Sequence, residues 1–191
     1  MKQSLFTMEH ARQLTADTYE LVLSGDTSAI TAPGQFVNIQ LPGKFLRRPI
    51  SICNWTKDAL LLLVRVVGEG THDLVRCVPG TELDVLSGLG NGFDLAKGGA
   101  HPILLGGGIG IAPLYGLAQR MLEAGIAPTV GLGFRSGGDA FYLEEFGKLG
   151  CRLMVATEDG SLGTKGFVTD LARHVPECGY AFVCGPTPML K

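Results

Sequence analysis

Two hydrophobic rhythms follow one another along this chain. In the first, apolar residues come in short bursts with strand-like alternation: Thr18 to Leu23, Gln35 to Leu41, Pro49 to Asn54, Leu60 to Val67 and Glu82 to Leu86. Pro33-Gly34, Pro42-Gly43 and Pro79-Gly80 separate the bursts, as tight turns between strands require. Only Thr71 to Cys77 reads as an inserted helical turn. Many short strands at this spacing predict a small all-β antiparallel barrel or sandwich.

The rhythm changes after Gly98-Gly99, which makes residues 1–98 and 99–191 the expected domains. Pro102 to Leu105 reads as a buried strand, and Gly106 to Gly110 as a glycine loop. From Ile111 to Ala124, Leu114, Leu117, Ala118, Met121 and Leu122 recur at helical spacing. Strand and helix then alternate: Pro128 to Phe134, Tyr142 to Leu149, Arg152 to Ala156, Phe167 to His174, and Tyr180 to Cys184. That alternation predicts an α/β domain with a doubly wound parallel sheet. Thr187 suits a helix N-cap and Pro188 a first helical position, yet the sequence stops at Lys191, so the chain reads as part of a longer polypeptide.

Composition narrows the field. Hydrophobic residues make up 46% and charged residues 18%, enough to build a packed core. A formal net charge of -2 gives no basic footprint for nucleic acid. No apolar run reaches the ~20 residues of a membrane span, and the first residues lack a signal-peptide core, so a cytoplasmic protein is expected. The five cysteines form no C-x-x-C pair, which argues against a disulfide framework or a zinc site. Glycine is the anomaly: 28 of 191 residues implies many tight turns or close backbone approach to ligands.

Three segments carry chemistry. Gly106-Gly107-Gly108-Ile109-Gly110-Ile111-Ala112-Pro113 lies between a predicted strand and helix, where bare backbone N–H groups can meet a pyrophosphate. It is not the Rossmann G-x-G-x-x-G pattern, because Pro113 stands where the third glycine belongs. Arg47-Arg48-Pro49-Ile50-Ser51 opens a strand with two cations and a hydroxyl: a guanidinium grips a diphosphate in bidentate fashion, and a serine can bond a polar ring edge. A solvated arginine pair is the competing reading. Val66-Val67-Gly68-Glu69-Gly70-Thr71 runs from a strand into a glycine turn and a helix start, which serves either a phosphate or an ordinary turn.

Together and in this order, these segments resemble the ferredoxin–NADP reductase superfamily over the whole chain. Within it, the chain is similar to the electron-transfer subunits of bacterial dihydroorotate dehydrogenase. The nearer likeness rests on Leu46 to Ser51, Gly88-Leu89-Gly90-Asn91-Gly92-Phe93, Gly133-Phe134-Arg135-Ser136, Glu158-Asp159-Gly160-Ser161, Lys165-Gly166-Phe167 and Cys184-Gly185-Pro186-Thr187-Pro188-Met189-Leu190. The resemblance implies a Greek-key flavin barrel followed by a nucleotide-binding domain. It implies FAD held by Arg48 at the diphosphate, with Pro49, Ile50 and Ser51 near the isoalloxazine and Val66, Gly70 and Thr71 at the adenine-side phosphates. Ile50 stands where an aromatic residue is frequent, so apolar contact replaces ring stacking.

In the second domain the resemblance implies NAD on Gly107, Gly108 and Gly110, with Asp159 and Gly160 nearby and Cys184-Gly185 beside the nicotinamide. A structural thiol is the competing role for Cys184. NAD is favoured over NADP because a 2′-phosphate needs a cationic cluster, and after the second strand stands only Arg135 with Ser136, followed by Gly137-Gly138-Asp139. The family also carries a [2Fe–2S] cluster on a C-terminal group of four cysteines, and this sequence has no such group. The implied activity is hydride exchange between NAD(H) and FAD, with electrons passing to or from an FMN-containing dihydroorotate dehydrogenase catalytic subunit in pyrimidine biosynthesis. Another reductase of the superfamily, such as a sulfide dehydrogenase-type subunit, and a non-catalytic adaptor of the same fold are the alternatives.

Overall fold

The computed structural model of the protein describes residues 1–190. It divides into two compact units, Met1–Phe93 and Asp94–Lys191. The glycine pair expected to mark the boundary lies just inside the second unit, where Gly98 ends a short 3₁₀ helix, Leu95–Gly98, started by the Asp94 carboxylate accepting from the Ala96 amide.

The first unit is a closed six-stranded antiparallel barrel. Its strands are β1 (Lys2–Gln13), β2 (Thr18–Gly25), β3 (Phe36–Gln40), β4 (Arg48–Trp55), β5 (Ala59–Arg65) and β6 (Glu82–Leu89), in the order β1-β2-β5-β4-β3-β6. Alternation follows the pleat: Val37, Ile39, Ile50, Ile52, Leu60, Leu62, Leu83 and Val85 point inward and are buried. Helix α1 (Glu69–Val75) is set against this core by Leu74 and Val75. The twelve-residue β1 has little of the apolar pattern that marks the other strands, since only Phe6 and Met8 are buried. It is long because it serves two neighbours, β6 along residues 2–7 and β2 along residues 6–13.

The second unit is a five-stranded parallel sheet. Its strands are β7 (Pro102–Gly107), β8 (Thr129–Phe134), β9 (Arg152–Thr157), β10 (Thr164–Lys165) and β11 (Tyr180–Cys184), in the order β10-β9-β8-β7-β11. Every residue of β7 and β8 is buried, which explains their unbroken apolar character. Helices α2 (Ala112–Glu123) and α3 (Leu143–Leu149) connect the strands, and Tyr115 packs edge-on against both Tyr142 and Phe146. Tyr142 takes a left-handed backbone, φ 64°, as it enters α3 with its ring buried. The helix expected over Phe167 to His174 is a 3₁₀ helix, Val168–His174, begun by the Asp170 carboxylate accepting from the Phe167 amide at 3.1 Å. Among the described residues no helix is long and apolar enough to cross a membrane.

Candidate cofactor-binding sites

In the barrel unit the two adjacent arginines have separate roles. The Arg47 guanidinium forks onto Asp84, with N···O distances of 3.0 and 3.2 Å, and also donates to the Asn38 carbonyl at 3.3 Å. These bonds hold the Asp84 carboxyl below its ordinary value of 3.8, Arg47 being the main cause. Arg47 therefore belongs to the barrel wall. Arg48 lies across the bare face of Gly70: a Cβ there would stand 1.8 Å from Arg48 Nε and 2.5 Å from its Cζ. Its Nη1 donates to the Leu46 carbonyl at 2.5 Å. Lys44 pins the loop before β4 to α1, reaching Glu69 at 2.5 Å and Asp73 at 3.1 Å. The fold thus brings together Arg48 and Gly70, which stand in different segments of the sequence.

The other barrel residues take distinct positions. Pro49 and Ser51 are exposed on the outer face of β4, while Ile50 is only 8% exposed and belongs to the barrel core. Strand alternation forces this, because neighbouring side chains point to opposite faces. Ile50 therefore offers a ligand its main chain and not its side chain. Val66 is half-buried against the core, and its amide donates to the Asp17 carbonyl at 2.7 Å. The Thr71 hydroxyl accepts from the amides of Val67 at 2.9 Å and Gly68 at 3.3 Å, and donates to the Gly68 carbonyl at 3.0 Å. Its side chain shapes the turn that leads into α1.

In the second unit every singled-out residue sits at the carboxyl edge of the parallel sheet. The chain leaves β7, the strand next to the β11 edge, towards β8 and β9, and later returns to β7's other side with β11. The crevice at such a reversal is where open parallel sheets bind ligands. Gly107 ends β7 and Gly108 follows it, while Cys184, in register with Gly106, ends β11 and Gly185 follows it. Gly110 presses on this end of β11: a Cβ there would meet the Cys184 carbonyl oxygen at 2.4 Å and the Gly185 nitrogen at 2.7 Å. Gly108 instead faces open space with φ +53°, a left-handed turn that a side chain would strain. The Met189 thioether lies over Gly107 and Gly185, close enough that a Cβ on either would collide with it. Burial raises the half-buried Cys184 thiol above its ordinary value, so at neutral pH it is uncharged.

The loops after β8 and β9 are tied to each other. The Asp159 amide donates to the Arg135 carbonyl at 3.2 Å, and the Gly137 amide donates to the Ser161 hydroxyl at 2.7 Å. Asp159 accepts from the Ser161 hydroxyl and amide, at 2.6 and 2.9 Å, and these bonds lower its carboxyl below the usual range. Gly160, at φ +77°, packs on the stem of Lys165. Contacts that the sequence did not assign lie in the segment after Arg135-Ser136: the Asp139 carboxylate accepts from the Ser136 hydroxyl at 2.9 Å and lies 3.7 Å from the Arg135 guanidinium. The Ser-x-x-Asp spacing within a turn was the available signal.

The site geometry fits two nucleotides and does not fit an iron–sulfur cluster. Bare glycine backbone lies beside a guanidinium in one unit and beside open space in the other, an arrangement that can receive a phosphate group. Among the described residues no three His, Cys, Asp or Glu side chains converge as metal ligands, and the cysteines lie on separate segments. A cluster needs four neighbouring thiolates.

No protein-family model matches the chain. It is 43% identical, over a 199-residue alignment, to the dihydroorotate dehydrogenase B (NAD(+)) electron transfer subunit of Shouchella clausii, covering 100% of this chain and 76% of that protein. It is 42% identical to the same-named subunit of a Geobacillus species, covering 100% and 77%. Among solved structures, an NADH-dependent reduced ferredoxin–NADP oxidoreductase superposes with a TM-score of 0.87 at 31% identity, covering 98% of this chain and 70% of that one. An Amycolatopsis cytochrome P450 reductase gives 0.87 at 24% identity, a likeness of fold, covering 99% and 63%. The chain belongs to the family of dihydroorotate dehydrogenase B electron transfer subunits.

Proposed function

We propose that this chain is an electron-transfer flavoprotein subunit: it binds FAD on the barrel unit and NAD on the parallel-sheet unit, and passes electrons to or from an FMN-containing dihydroorotate dehydrogenase catalytic subunit. The names of its relatives support the partner. We read the barrel as a Greek key, since its order sets β3 beside β6, and the second sheet as doubly wound, since the strands after β7 are added first on one side of it and then, with β11, on the other.

The observation that carries the reading is that each unit keeps bare glycine backbone beside a phosphate-binding feature: Gly70 under Arg48, and Gly108 next to the Gly110–Cys184 contact. Bound FAD and NAD would supply hydride-transfer chemistry, while the protein supplies binding, orientation and electrostatics. Arg48 would hold the FAD diphosphate through its planar donors. The outward-facing Ser51 would bond a polar edge of the flavin, with Pro49 beside it. Gly70 and Thr71 would line the adenine-side phosphates through their main chain, with Val66, whose amide is held by Asp17, beside them. Gly107, Gly108 and Gly110 would present N–H groups to the NAD pyrophosphate, with Asp159, Gly160, Cys184 and Gly185 bounding the same crevice. No side chain is assigned a proton-transfer step, because hydride exchange requires none.

The test is an anaerobic absorption spectrum of the FAD-supplemented protein before and after NADH addition. Bleaching of a bound-flavin band is the expected result. Bound flavin that stays oxidised, or protein that retains no flavin, would overturn the proposal.

A further inference from the structure

We infer that Phe36 is the aromatic wall of the flavin site, the side chain against which the isoalloxazine ring rests beside Ser51; this deepens the reading of the barrel as the FAD-binding unit and rests on it. Ile50 turns its side chain into the core, so beyond Arg48 only Pro49 and Ser51 of β4 reach the outer face before the chain dips inward again at Ile52. The neighbouring strands supply what β4 lacks. Phe36 of β3 is paired with Ser51, and Leu89 of β6 is paired with Phe36 from the other side. Paired residues on adjacent strands point to the same face, so Ser51, Phe36 and Leu89 form one row across the outer wall. The row stands three residues along β4 from Arg48. That is roughly 10 Å of strand, about the reach of the ribityl chain that joins a diphosphate to its flavin ring.

The ring is held in place by the segment Gly88 to Phe93. Gly90 passes along its edge: a Cβ there would stand 3.2 and 3.3 Å from Phe36 Cδ1 and Cε1, and Gly90 itself has φ +81°, which favours glycine. Gly88, at φ +71°, lets β6 carry an extra residue between its pairings with Asn38 and Phe36, and this bulge returns Leu89 to the outer face. The buried Gln35 ties the two segments together. Its side-chain oxygen accepts from the Thr31 and Ala32 amides at 2.8 and 3.2 Å, and its Nε2 donates to the Gly90 carbonyl at 3.0 Å. The Phe93 amide donates to the Pro33 carbonyl at 2.7 Å, and its ring lies on the bare face of Gly34. Phe36 stays half-exposed on this support, whereas the other outward side chains of β3, Asn38 and Gln40, are polar. A fixed aromatic ring next to an outward hydroxyl matches a planar heterocycle: the ring takes its face or edge in offset contact, and the hydroxyl bonds its polar rim.

The test uses the intact chain with FAD. Phe36→Leu keeps an apolar side chain and removes the ring, so FAD affinity, read by fluorescence titration of the apoprotein, should fall about three- to tenfold. Phe36→Trp keeps a ring and places a strong electron donor against the flavin, so the emission lifetime of bound FAD should shorten severalfold. Leu5→Trp, on the exposed face of β1, should leave that lifetime at the wild-type value. Near-ultraviolet circular dichroism checks that the three variants keep the native packing. FAD affinity in Phe36→Leu equal to that of wild type overturns the inference, as does an emission lifetime in Phe36→Trp equal to that in Leu5→Trp. Wild type that retains no FAD overturns the flavoprotein reading and this inference with it; wild type that binds FAD with affinity and emission indifferent to Phe36 overturns this inference alone.

Discussion

Gly70→Ala separates a glycine kept for the fold from one kept for a ligand. The new Cβ would stand 1.8 Å from Arg48 Nε and 2.6 Å from Nη2, so the guanidinium must swing away. The backbone at Gly70 is not left-handed, and an alanine adopts it without strain. Alanine in a helix gains up to about 1 kcal/mol over glycine, and less in a first turn. Against this, the Arg48–Leu46 hydrogen bond is lost, worth about 0.5–1.5 kcal/mol. The two effects nearly cancel, so the flavin-free protein should melt within about 6 °C of wild type. A charge-assisted hydrogen bond to phosphate is worth about 1.5–3 kcal/mol, so FAD affinity should fall about 10- to 150-fold. Flavin-fluorescence titration of the apoprotein, paired with a thermal melt, reads both quantities. Arg48→Gln should weaken FAD by a similar factor, and the double variant should be no weaker than Arg48→Gln alone, since both remove one contact. FAD affinity within about threefold of wild type in Gly70→Ala, or losses that add in the double variant, would refute the reasoning.

Three further outcomes are expected. Gly110→Ala drives a Cβ to 2.4 Å from the Cys184 carbonyl and should destabilise the sheet unit by about 1–3 kcal/mol, as should Gly108→Ala by about 1–2 kcal/mol through its left-handed backbone; differential scanning calorimetry showing neither loss would count against the loop geometry. Thr71→Val removes the acceptor for the Val67 and Gly68 amides and should lower stability by about 0.5–2 kcal/mol in urea titrations, while Thr71→Ser should restore most of it. Asp84 has its carboxyl depressed below 3.8 by Arg47, so the stability it adds is present above that value and lost as pH falls through the depressed one. The melting temperature of wild type should therefore drop more steeply with acidification below about pH 4 than that of Asp84→Asn, and parallel profiles would contradict the assignment.

Much of this architecture was written in local pattern. The bursts around Leu21, Val37, Ile52 and Leu62 have the two-residue period of half-buried strands, and the buried run through β7 is a parallel strand's signature. β1 escaped because its length comes from having different partners at its two ends and not from a repeated apolar face. β10 is two exposed residues, too short for any periodicity. The glycine loop was legible because its residue type is its function. The different fates of Arg47 and Arg48 were not: adjacent and chemically identical, they are told apart only by Asp84 and Gly70, which lie far along the chain. Ile50 shows the converse, since alternation alone would have turned its side chain inward from its neighbours Pro49 and Ser51. Asp139 reads as one more polar loop residue until the turn folds its carboxylate back onto Ser136.

The way the barrel closes has a consequence for how it is made. β1 finds β2 immediately, through a short connection, but its other edge must wait for β6, with Lys2 opposite Ser87 and Thr7 opposite Glu82. A chain emerging from the ribosome therefore holds an unpaired strand edge through most of the synthesis of this unit. Such long-range closure is slow, and an open edge invites pairing with another chain. β1 meets that hazard with the polar composition that hid it from pattern reading: its residues outside Phe6 and Met8 are mostly charged or hydrophilic, which keeps the waiting edge soluble until β6 arrives.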